Sequence, residues 1–302
     1  MITDDPRQHD GSPADGSPGD GSPGDGSPAL RSRRSGPRRE LRAVHALVHR
    51  ELLRLIGERT RTALVLVQPV FYLLLLGGGL ASVIPDRTVG GDYRAFLFPG
   101  VLVMTVQAPA MGVGMRLIID RESGYLRETL MAPVRRSTLL YGSCLGGTTV
   151  ATTQGVLLLA LTTGLIGLPY HPALLAVLLL GMILTAFTFS ALTLALAVRI
   201  RTVETFGTVL GLAMMPLLFL SGAFFPLTAL PSWVAVLTSL NPLSYAVDAL
   251  RRCIMHYAPG HRAVGGPEWA GWQPPVPLEL GVLAAAGAGA LLWAARRFAR
   301  PE

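Results

Sequence analysis

Apolar runs about 20 residues long recur along the chain, separated by short polar breaks, which is the spacing of repeated bilayer-spanning helices. Runs over residues 62–84, 95–119, 139–167, 173–198, 203–225 and 278–295 predict six spans. The segment before them follows another rule. Leu41, Val44, Val48, Leu52 and Leu55 recur at steps of three and four, drawing one stripe down a helix whose other face carries Arg42, Arg50, Glu51 and Arg54. That pattern predicts an interfacial helix along the inner membrane surface, within residues 41–56. Pro216 lacks an N–H inside the fifth run and predicts a kink there.

Small residues in the second run (Gly100, Ala108, Ala110, Gly112 and Gly114) should let a neighbouring helix approach closely. The third run is longer than the hydrocarbon needs, so its inner end should project from the membrane. Residues 230–255 have the apolar length of a span but contain Pro231, Asn241, Pro242, Asp248, Arg251 and Arg252. Charges at a bilayer centre cost a few kcal/mol each on insertion scales. We therefore read this stretch as a hairpin that enters the outer leaflet and returns.

Composition sharpens this picture. Half of the 302 residues are hydrophobic and only 15% are charged, against roughly a quarter in soluble domains. All 26 basic residues are arginine, and without a lysine the chain cannot supply a Walker A phosphate cradle. A net charge of +7 could mean nucleic acid, but the arginines sit at the ends of apolar runs and not on a basic face with interleaved aromatics. All but Arg87, Arg94, Arg251, Arg252 and Arg262 of those 26 fall on one side of the predicted membrane, which makes both termini cytoplasmic. Residues 1–40 carry GSPAD and GSPGD repeats over residues 10–28, predicted to be disordered, and end in an arginine cluster suited to anionic headgroups; residues 41–302 form the membrane domain. Cys144 and Cys253 fall on opposite sides and read as packing residues, with no disulfide.

No hydrolytic, redox or metal-binding constellation stands out. His45 and His49 lie at i and i+4, and a surface pair explains them. The middles of the spans carry no ionisable group that could relay protons. Their polar residues are neutral, Gln68, Gln107, Gln154 and Thr185 among them, and serve either helix-to-helix hydrogen bonds or a cargo path. Transport energy must then arrive from outside. Asp120, Arg121, Glu122, Gly124, Arg127 and Glu128, with Leu126, Leu130 and Met131 at helical spacing and Pro133 as a stop, form the plausible receiver, either a short docking helix or a solvated loop.

Three stretches resemble the type-2 ABC exporter permeases: FLFPGVLVMTV at 96–106, DRESGYLRETLMAPVRRSTLLYG at 120–142, and FLSGAFFPLTALPSWVAVLTSLNPLSYAVDALR at 219–251. The last holds Asn241, Pro242, Leu243, Tyr245, Asp248 and Arg251 in the places of the family's NP-L-x-Y and D-x-x-R pattern. Within the family the chain is most similar to drug and antibiotic resistance permeases of actinomycetes. The resemblance implies an all-α integral membrane protein with six spans, an N-terminal interfacial helix and a re-entrant hairpin. It implies a homodimer of membrane subunits above two copies of a separate ATPase, with ATP and Mg bound there and not in this chain. Residues 122–133 would seat in a cleft of that ATPase. The expected role is export of a hydrophobic or amphiphilic drug across a bacterial cell membrane. Export of a glycan or lipid-linked product is the alternative cargo, and a stand-alone channel, a secondary transporter or a membrane scaffold are the rival classes.

Overall fold

The structure is a computed structural model that describes residues 37–79, 89, 92–124, 136–166, 171–227, 232–257, 266–269 and 272–299. The repeat tail, Arg87, Arg262 and the coupling candidates Arg127, Glu128 and Pro133 lie outside the described residues.

Nine helices make up the described residues: α1 (Pro37–Gly57), α2 (Arg59–Gly79), α3 (Tyr93–Glu122), α4 (Arg136–Ile166), α5 (Pro172–Arg199), α6 (Val203–Phe219), α7 (Ser232–Leu240), α8 (Pro242–Tyr257) and α9 (Val276–Ala299). Their starts follow local chemistry. Asp92 caps α3 by accepting from the Arg94 amide at 2.9 Å, Pro172 opens α5 where its missing N–H is no loss, and Thr202 caps α6. Five helices, α2 to α5 and α9, are long and apolar enough to cross a membrane. α6 is apolar but only 17 residues long. It stops at Phe219, short of the expected residue 225, because a turn with Gly222 at φ 73° follows.

α5 packs against both α3 and α9, and α4 runs beside α1, α3 and α5. One core joins Phe96, Phe98, Leu102, Phe189, Leu250 and Leu283; a second joins Leu117, Ile118, Leu140, Cys144, Leu194 and Phe206. Both cysteines are free thiols, Cys144 within that second core. The small residues of α3 are not equivalent. A Cβ on Gly114 would meet the Thr193 carbonyl oxygen at 2.5 Å, and one on Gly100 would meet that of Ala223 at 2.6 Å, whereas Gly112 has nothing within 4 Å. Ala108 is likewise exposed.

The amphipathic stripe of α1 lies along α4, with Val44, Val48, Leu52 and Leu55 half-buried and Leu47 over Gly142. A stripe of this width serves a neighbouring helix as well as a lipid surface, since both are apolar. By contrast α2 and α6 leave large side chains uncovered, among them Leu64, Phe71, Leu74, Leu212, Met215 and Phe219.

Candidate functional site

At the end of α3 three elements, α3, α5 and α6, meet in an elbow. The Arg121 guanidinium donates to the carbonyls of Ala197 and Ile200, both at 3.4 Å, placing a cation at the negative end of α5. Glu122 does the reverse at the next helix, its Oε1 accepting from the Val203 amide at 3.1 Å at the positive end of α6. Gly124, at φ 78°, then terminates α3. Of the expected coupling residues, Arg121 and Glu122 are thus engaged inside the subunit, and half-buried Asp120 lines a cavity beside α1. Sequence reading missed the tie between α1 and this elbow. Glu51, 7% exposed, forms ion pairs with Arg116 of α3 and with Arg50. On the helical wheel Glu51 belongs to the charged face, so nothing local marks it as buried.

The expected re-entrant motif is brought together as one hydrogen-bonded seam. A helix that ends leaves its last carbonyls without partners, and α8 with its cap residue supplies donors to carbonyls at the end of α6 and in the turn after it. Asn241 Nδ2 donates to the Leu217 carbonyl at 2.7 Å, Ser244 Oγ to that of Leu220 at 3.1 Å, and Arg251 Nη2 to that of Gly222 at 2.6 Å. Asn241 Oδ1 also accepts from the Leu243 amide at 3.0 Å, capping α8, whose first residue is Pro242. Tyr245 ties α7 to the segment before α9: its hydroxyl donates to the Ser239 carbonyl at 2.6 Å and accepts from Trp269 Nε1 at 2.8 Å. Trp269 and Trp272 exchange backbone hydrogen bonds.

Arg251 and Arg252, read from the sequence as two of the five charges on the outer side, have internal partners. Arg251 is 1% exposed and its guanidinium lies 3.8 Å from the centroid of the Phe96 ring. Arg252 bridges two carboxylates, with Nε donating to Asp248 at 2.7 Å, Nη2 to Glu279 of α9 at 2.6 Å, and Nη1 to the Pro274 carbonyl at 2.8 Å. Glu279 is fully buried and was missed because one acid just inside an apolar run looks like a helix-start residue.

The four neutral residues considered for a cargo path sit on four helices. Gln68 of α2 is exposed; Gln107 of α3 is buried, its Nε2 donating to Met111 Sδ at 3.6 Å. Thr185 of α5 donates to its own helix at the Gly181 carbonyl, 2.7 Å away. Gln154 of α4 is buried and lines a cavity that also reaches Glu51 and Arg116.

Asn241→Ala should lower stability by about 1 kcal/mol through the lost cap, read as a reduced melting temperature of the detergent-purified protein. Asn241→Asp keeps the cap acceptor, loses the donor to Leu217, and should fall between the two.

A family described as ABC-2 type transporter matches residues 42–255. The transport permease ycf38 of Porphyra purpurea is 29% identical over 215 residues, covering 70% of this chain and 73% of its own length. The inner membrane transport permease YadH of Escherichia coli strain K12 is 29% identical over 191 residues, 62% of this chain and 73% of that one. The daunorubicin resistance ABC transporter permease protein DrrB1 of Streptomyces coeruleorubidus is 28% identical over 206 residues, 67% of this chain and 70% of that one. The family match runs from the amphipathic α1 through the elbow to the end of the sewn hairpin, and this chain, a multi-pass membrane protein, belongs to the ABC-2 type transporter family.

Proposed function

We propose that this chain is the membrane half of an ATP-driven exporter that moves a hydrophobic or amphiphilic small molecule out of a bacterial cell. In this reading α6 is the fifth of six spans, the α7–α8 hairpin is re-entrant from the outer leaflet, and both termini are cytoplasmic. Two copies pair through the uncovered apolar faces of α2 and α6 above two copies of a separate ATPase, which binds the ATP and Mg.

The observation that carries the reading is the elbow. Arg121 and Glu122 join the end of α3 to the turn between α5 and α6, so a push on the segment after Gly124 reaches three helices together. ATP-driven closure of the partner then shifts the population between two arrangements of the spans. Drug cargo is supported by the likeness to a daunorubicin resistance permease.

The test is co-expression with an ATP-binding cassette ATPase subunit and ATP-dependent accumulation of daunorubicin and other amphiphilic drugs in inverted vesicles. Uptake that needs both chains supports the reading; nucleotide hydrolysis or uphill pumping by this chain alone overturns it. Replacing Glu122 or Arg127 with Gln should lower transport and transport-stimulated ATPase activity several-fold while membrane insertion stays normal. Normal transport by both variants would remove the coupling role.

A further inference from the structure

Between α1, α3 and α4 lie two adjoining cavities. The first, about 720 Å³, is walled by Arg50, Arg54 and Arg116 and floored by Leu47, Val113 and Leu139. The second, about 340 Å³, shares Glu51, Arg54 and Arg116 with it and continues past Val65, Pro109 and Val150 to Gln154. Both volumes fall in the range of small-molecule sites. Along α4 the lining runs from Leu139 to Gln154, about 22 Å at the helical rise. A simple anion would leave most of that length empty.

The two ends differ in chemistry. Glu51 is held by Arg50 and Arg116, and Asp120 is the other carboxylate of the first cavity, so arginine is in excess there. Arg50 and Arg54 stand one turn apart with side chains 53% and 55% exposed; they reach Glu51 at 3.4 Å and Glu58 at 3.6 Å. Those long single contacts leave most of each five-donor fork open. At the inner end the Gln154 Oε1 is buried with no hydrogen-bond partner among the described residues, an unfavourable state until a donor satisfies it. The amide can present either of its ends by rotating.

We propose that the joined cavities bind an acidic amphiphile, with its anionic head between Arg50 and Arg54, its apolar body along Val113, Pro109 and Val150, and a neutral hydrogen-bonding group on that body at Gln154. Its identification as cargo rests on the export reading above, whereas occupancy can be measured with no ATPase present.

The probe is ricinoleate, a carboxylate with a hydroxyl on its alkyl chain, offered in radiolabelled form to the full chain in phosphatidylcholine nanodiscs. Oleate, which lacks the hydroxyl, and oleylamine, which carries the opposite charge, serve as competitors. Saturable binding with ricinoleate about tenfold tighter than oleate is expected, as one satisfied buried polar group would give. The double variant R50Q/R54Q, changed at two largely exposed positions, should weaken ricinoleate at least about tenfold. Gln154→Met should leave oleate binding intact and erase the preference for the hydroxyl. Non-saturable uptake, indifference to R50Q/R54Q, or competition by oleylamine equal to that by oleate would overturn the site. Binding as expected without ATP-dependent transport would instead count against the export reading and leave the site standing.

Discussion

Replacing Arg252 with leucine is expected to cost about 3–5 kcal/mol, because it breaks a buried ion pair and leaves Asp248 and Glu279 without their shared donor. Asp248 is 3% exposed and Glu279 is fully buried, and both take hydrogen bonds from this one guanidinium. The same arginine also holds the Pro274 carbonyl, so its loss frees the segment leading into α9. The expected readout is a large drop in melting temperature and in the amount of protein extracted from membranes. Adding Glu279→Gln to Arg252→Leu replaces one stranded acid by a neutral amide and should recover part of the loss. Two results would show that the cluster does not hold α8 to α9: an unchanged melting temperature for Arg252→Leu, or a double variant worse than the single one.

Gly114→Val should be the most damaging change in α3 that alters no charge. A Cβ there meets the Thr193 carbonyl oxygen at 2.5 Å and the Phe206 ring at 2.7 Å, and backbone cannot move aside as a flexible side chain can. Overpacking of a tight core costs about 1–3 kcal/mol, and this contact should lie at or above the upper end. The decisive comparison is two residues away. Gly112 has nothing within 4 Å, so Gly112→Ala should be neutral or stabilising by up to about 1 kcal/mol through helix propensity. Thermal unfolding of the two variants in one detergent separates the effects; equal behaviour would mean that α3 and α5 do not touch at Gly114. The change should also disturb transport, because Thr193 and Phe206 belong to the two helices clamped by Arg121 and Glu122.

Much of the helical order was legible before any coordinates. Long apolar runs placed α2 to α5 and α9 within a few residues of their observed ends, because a run of that length has no soluble alternative. The end of α6 was not legible. Residues after Phe219 are as apolar as those before, and only the partners supplied by Asn241, Ser244 and Arg251 make it possible to stop the helix there. Gly100, Gly112 and Gly114 looked alike as small residues on one helix, yet only two of them face another backbone.

The site divides in the same way. Asp120, Arg121, Glu122 and Gly124 drew attention as a charged break between apolar runs, but nothing in their spacing shows that Arg121 and Glu122 cap α5 and α6. Asn241, Tyr245 and Arg251 were picked out by likeness to a family pattern, while their partners Leu217, Ser239 and Gly222 lie outside α8. Glu51, Glu279 and the amphiphile cavity carried no local mark at all.

By itself the sequence determined that this chain lives in a bilayer, where its helices lie, and that it lacks the lysine of a phosphate-binding loop. Those properties depend on counts and periodicities summed over tens of residues, which one chain displays openly. Tertiary structure alone decided which charges are buried and paired, where α6 ends, and which glycines are contacts. Each of those depends on two groups far apart in sequence meeting within a few ångströms, and a linear pattern holds no record of that distance.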